Sequence, residues 1–170
     1  MIIKMDIIIY VIIFIIGIVF GSFYTLAVYR IPKGQDITHT RSYCTKCNHK
    51  LSFLDLIPVF SYIFLRGKCR YCKEKIRPRY FIIELISGIS FVAIAYLMNL
   101  NIESITIIKI IDFAFIVLYL TFVIIMAGID KEDRSKTKPI IMYGVIISII
   151  YIVYLCIIDQ TSIYRYGIYL

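Results

Sequence analysis

The sequence predicts an all-α integral membrane protein: about four transmembrane helices with a small cytoplasmic zinc-ribbon-like loop subdomain. Three observations carry that prediction. Hydrophobic residues make up 61% of the 170 and the mean hydropathy is +0.86, too apolar for a soluble domain and far from the composition of a disordered chain. Charged residues are only 18%, yet the net charge is +8, so apolar and basic residues are segregated along the chain. Four of the five cysteines fall in one basic segment, as two C-x-x-C pairs.

The first element is the uncharged run from Ile7 to Val28, long enough to cross a bilayer as a helix at about 1.5 Å per residue. A signal peptide has a shorter apolar region and a small-x-small cleavage site. This run is long and ends in Ala27-Val28-Tyr29-Arg30, which predicts an uncleaved first span within residues 1–28. Residues 29–79 then hold twelve Lys/Arg against Asp36, Asp55 and Glu74, a net of +9, and are read as a separate subdomain. Residues 80–170 are read as the remaining membrane domain, with spans at about 80–97, 105–127 and 140–158. These runs are rich in isoleucine, which in water favours strands. Their length and lack of alternation favour helices, whose backbone hydrogen bonds are satisfied internally in lipid.

Orientation follows from the distribution of positive charge. Residues 29–79 and the turn holding Lys131, Arg134, Lys136 and Lys138 lie on the same side of a four-span chain. Both are expected to be cytoplasmic, with the C-terminal residues facing outward.

Cys44-Thr45-Lys46-Cys47 and Cys69-Arg70-Tyr71-Cys72 are separated by 21 residues. Each pair lets one turn present two sulfurs to one ion, and two turns supply the four ligands of tetrahedral zinc. Neighbouring Lys46, Lys68, Arg70 and Lys73 favour the thiolate. A cytoplasmic location argues against disulfides. Four sulfurs leave no open coordination position, so Cys44, Cys47, Cys69 and Cys72 predict a structural metal, zinc, with iron using the same ligands. Cys156 is read as an apolar filler in the last span, and His39 and His49 as loop histidines. The basic segment lacks an aromatic-basic reading face, so anionic lipid headgroups are the expected partners and nucleic acid is not.

Several motifs then occur in order: Gly21-Ser22-Phe23, Tyr29-Arg30-Ile31-Pro32, Arg41-Ser42-x-Cys44-x-x-Cys47, Asp55-Leu56-Ile57-Pro58, Leu65-Arg66-Gly67-Lys68-Cys69-Arg70-x-Cys72, and Arg79-Tyr80-x-x-x-Glu84. This order resembles the N-terminal half of the type IV prepilin peptidases. The resemblance implies an aspartic endopeptidase of the bacterial inner membrane that removes the basic leader of prepilins and pseudopilins on the cytoplasmic side. It also implies N-methylation of the new terminus with S-adenosylmethionine, although no glycine-rich loop for that cofactor is evident. The family uses two aspartates, the second in a G-x-G-D motif. Asp130, in Gly128-Ile129-Asp130-Lys131-Glu132, matches the first by context. Solvated loop charge is the plain alternative.

Such a mechanism needs two carboxylates sharing a proton, because neighbouring like charges split their pKa values. No G-x-G-D occurs in the 170 residues, and the chain is read as C-terminally shortened. Glu84 and Asp112 are intramembrane ionisable groups and candidates by default, though Asp112 is also read as pairing with Lys109 one turn away. The alternative function is a non-proteolytic, membrane-anchored zinc module that binds prepilin or pilus-assembly proteins. A basic leader would then require acidic residues such as Asp55, Glu74 or Glu132 gathered in one patch.

Overall fold

A computed structural model describes residues 2–102, 104–132 and 137–166, with side chains placed outside 2–5, 131–132 and 159–166. The expected loop charges Asp133, Arg134 and Lys136, and the residues after Tyr166, lie outside the described residues. The chain divides into two compact units, Met1–Phe113 and Ala114–Leu170.

The described residues are mostly helical and contain no strands, only two isolated antiparallel bridges. Helix α1 covers Ile2–Arg30, α2 Phe60–Phe64, α3 Arg79–Leu97, α4 Ile107–Glu132 and α5 Lys138–Tyr166. All but α2 are long and apolar enough to cross a membrane, and most of their large side chains point outward, as in Ile8, Ile15, Ile86, Ile108 and Ile149. Isoleucine is helical here because lipid offers the backbone no other hydrogen-bond partner. The fold class is therefore the predicted one, a multi-pass α-helical membrane protein.

In the first unit, α1 and α3 pack antiparallel through small residues. A Cβ added at Gly17 would come within 2.8 Å of the Gly88 Cα, and one at Gly21 within 2.7 Å of the Glu84 Cα. This is close backbone approach at four-residue spacing, the geometry that helices use when lipid supplies no hydrophobic drive. Ser87, Phe91 and Ala95 continue the buried stripe of α3. Helix α1 stops where Pro32 enters a short 3-10 turn and Gly34, at φ 64°, closes it. In the second unit, Phe122 of α4 fills the space left by Gly144 of α5, and the Phe115 ring lies 4.9 Å from that of Tyr151.

Candidate metal centre and carboxylates

The two C-x-x-C segments fold as near copies of one turn. The Cys44 N–H donates to the His49 carbonyl at 3.0 Å and the Asn48 N–H to the Cys44 carbonyl at 2.9 Å. Twenty-five residues on, the Cys69 N–H donates to the Glu74 carbonyl at 2.8 Å and the Lys73 N–H to the Cys69 carbonyl at 3.0 Å. Asn48 and Lys73 both take left-handed backbone, at φ 54° and 59°, which turns each hairpin back on itself. One bridge closes each turn: Tyr43 with Lys50, and Lys68 with Lys75.

The turns bring together all four predicted ligands. Sγ atoms of Cys44, Cys47, Cys69 and Cys72 lie within 4.8 Å of one another, and those of Cys44 and Cys72 are 3.8 Å apart. A tetrahedral zinc with Zn–S bonds of about 2.3 Å has sulfur–sulfur edges of about 3.8 Å, so the cage has the right size for such an ion. Burial pushes the Cys44 thiol up, but the Cys47 and Lys46 N–H groups and the neighbouring thiols bring it down to about 7. The Glu74 N–H favours the Cys72 thiolate, yet burial and the other three thiols push Cys72 up to about 12. Four sulfurs this close ionise together only around a cation.

Around the cage, several charges read from sequence as topology signals are structural. Arg30 is 4% exposed, and its guanidinium donates to the carbonyls of Asp36 and Thr40 at 2.8 Å each and of Arg41 at 3.2 Å. It thereby winds the chain after α1 around itself. Asp36 accepts from the Thr38 N–H at 2.9 Å and the His39 N–H at 2.9 Å. The Thr38 N–H leads in holding its carboxyl at about 2.

Asp55 clamps the second turn. Its Oδ1 accepts from Arg70 Nε at 2.6 Å, and its Oδ2 from Tyr71 Oη at 3.1 Å and Ser52 Oγ at 2.7 Å. Burial pushes this carboxyl up, but Arg70, Ser52 and Tyr71 outweigh it and hold it at about 2. The Asp55 side chain is 3% exposed. This removes Asp55 from any acidic patch for a basic leader. Glu74 is exposed, and the Glu132 side chain lies outside the described residues. His49 stacks on Tyr71 with ring centroids 3.6 Å apart and is not part of the cage.

The intramembrane carboxylates have different surroundings. Glu84 is 8% exposed, and its Oε2 accepts the Val59 N–H at 2.7 Å. It lines a cavity of about 470 Å³ with Ser22, Tyr29, Arg30, Tyr43 and Asp55. The expected Lys109–Asp112 pair does not form. Lys109 Nζ donates instead to the Asn99 carbonyl at 3.2 Å and Ser104 Oγ at 3.1 Å, because the turn after α3 presents these oxygens to it. Asp112 Oδ1 has no hydrogen-bond partner among the described residues. In the second unit, Asp130 is an exposed residue of the last turn of α4, directly after fully buried Ile129. It is thus held on a helix rather than in a loop.

Sequence reasoning missed the roles of Arg30, Asp55 and Glu84. Only the Ser52–Asp55 capping box left a local signal; the other partners are distant in sequence.

Residues 15–98 match the bacterial peptidase A24 N-terminal domain. The chain is similar to a prepilin leader peptidase/N-methyltransferase of Vibrio cholerae, 42% identical over 97 residues, covering 52% of this chain and 37% of the relative. A protein of the same description from Klebsiella pneumoniae is 27% identical over 146 residues, covering 80% of this chain and 60% of the relative. One from Bacillus subtilis is 37% identical over 92 residues, covering 54% and 37%. The chain thus spans less than two thirds of the length of each of these relatives. No solved structure matches it.

Proposed function

We propose, with residues 15–98 belonging to the bacterial peptidase A24 N-terminal domain family, that this chain acts in prepilin processing at the bacterial inner membrane. Its residues 29–79 face the cytoplasm, where the positive-inside rule puts their charge. The basic leader of a prepilin or pseudopilin is cut on that side. The observation that carries this reading is the four-sulfur cage, which sits inside the family-matched region and joins its two C-x-x-C motifs.

Zinc held by Cys44, Cys47, Cys69 and Cys72 is structural, because the four sulfurs fill its coordination. It fixes the two turns against each other. Asp130 is the carboxylate assigned to chemistry. Its support is position: the last turn of a membrane helix is where a helical substrate leaves the bilayer, so the scissile bond can meet a carboxylate there. In a two-aspartate mechanism one carboxylate, ionised, takes a proton from water while the other, protonated, donates to the carbonyl oxygen. N-methylation belongs to the same reading through the relatives' names, with S-adenosylmethionine as the methyl donor that the family resemblance implies. The 470 Å³ cavity has the volume of a small-molecule site.

The test is incubation of the purified chain in lipid with a prepilin, read by mass. Because the mechanism needs a second carboxylate and only Asp130 is assigned among these 170 residues, the expected result is a product lacking its leader once a chain supplying the partner aspartate is added, with at least a hundred-fold lower rate for Asp130→Asn. Prepilin retained by the chain but left uncut would transfer support to a non-proteolytic zinc module that binds prepilin or assembly proteins.

A further inference from the structure

Helix α2 lies in the basic segment, outside the four spans, yet it exposes large apolar side chains. Phe60 is 49% exposed, Ile63 56% and Phe64 81%. At spacings of three and four residues they share one face of the helix. Tyr62 is turned away from them and stacks on Phe81 of α3, with ring centroids 5.1 Å apart. An exposed face of this kind in a folded protein marks a contact surface.

Its position in the first unit says what the contact is. Just before α2, Val59 makes a tight turn at φ 64° and ψ −54°, with the Phe60 N–H donating to the Pro58 carbonyl at 2.6 Å. This is the rare γ-turn, costly for a β-branched residue. The Val59 N–H is held by the buried Glu84 carboxylate. Glu84 lies five residues into α3, which begins at Arg79, so about 7.5 Å along its axis. The turn therefore draws the chain back to the depth where α3 enters the bilayer. The lipid-facing side of α3 is exposed at the same level through Ile82 and Ile86. Exposed Arg66, Lys68, Lys73 and Lys75 follow α2 directly, charges that suit anionic headgroups and repel a basic peptide.

We propose that α2 is an interfacial membrane element, with Phe60, Ile63 and Phe64 seated at the boundary between headgroups and acyl chains. The segment between the first two spans is thereby a third point of attachment to the leaflet, latched by the Glu84–Val59 bond.

The chain contains no tryptophan, so a single introduced one reports its own depth. Phe64→Trp and Phe60→Trp are made separately in the full chain, with Gln35→Trp as an exposed loop reference and Ile15→Trp as a reference within α1. Each is reconstituted into phosphatidylglycerol–phosphatidylcholine vesicles carrying bromine at shallow or deep acyl positions. Both α2 reporters are expected to emit to the blue of Gln35→Trp, and to be quenched at least twofold more by shallow than by deep bromines. Ile15→Trp is expected to show the reverse preference. Quenching of both α2 reporters no stronger than that of Gln35→Trp overturns the proposal. A blue shift without bromine quenching that fades as lipid is added in excess also overturns it, in favour of contact with a second copy. A blue shift that arises only when a peptide is added overturns it in favour of a protein partner.

Discussion

Asp55 shows how much a single loop carboxylate can hold. It joins Ser52 to Arg70 and Tyr71, the two residues between Cys69 and Cys72, so it braces one half of the cage. Its carboxyl sits at about 2, below its ordinary value near 4. The stabilisation is therefore complete above about pH 4 and is lost as the pH falls through about 2. At neutral pH Asp55→Asn removes all of it. The Arg70 side chain is 47% exposed and screened by water, so the loss is moderate. Amide protection in residues 51–75 is expected to drop about five- to thirty-fold, by hydrogen exchange at pH 7. An unchanged pattern would show that the turn holds without the clamp. The sulfur ligands themselves were legible, because a C-x-x-C turn is local. The Asp55–Arg70 bond was not, because its partners are fifteen residues apart and nothing in a loop's periodicity aligns them.

Among the elements, the long helices were legible and α2 was not. A span declares itself by twenty apolar residues, whereas a five-residue helix inside a basic loop has too few turns to establish a period. The packing of α1 on α3 lies between these cases. Gly17-x-x-x-Gly21 is visible in the sequence, but only the structure shows that Gly88 and Glu84 face it. Replacing Gly21 with Leu puts a side chain where the Glu84 backbone already stands. Overpacking of this kind costs about 1–3 kcal/mol. The melting temperature of the purified protein in detergent is expected to fall by about 2–8 °C, while Ile16→Leu, at a position 45% exposed on the same helix, leaves it unchanged. Equal melting of the two variants would mean that the helices do not need this close approach.

At the scale of the whole molecule, two kinds of folding operate side by side. Each long helix is stable in lipid on its own backbone hydrogen bonds. Residues 29–79 have no such support: among them are two isolated bridges, two 3-10 turns and α2. A segment of this size rarely builds a sufficient core alone, and the four-sulfur cage is its natural staple. Metal removal should therefore act on one part only. Purified protein is expected to carry about one zinc per chain, by elemental analysis, and Cys69→Ser to carry less than a tenth of that. Chelation should leave far-ultraviolet circular dichroism within about a tenth of its starting value, because the spans supply most of the helix. It should at the same time make Cys44, Cys47, Cys69 and Cys72 reactive to a maleimide, read by peptide mass. Cys156 of α5, outside the cage, should label equally before and after. Loss of helix signal in step with zinc would instead make the metal a condition for the membrane fold itself.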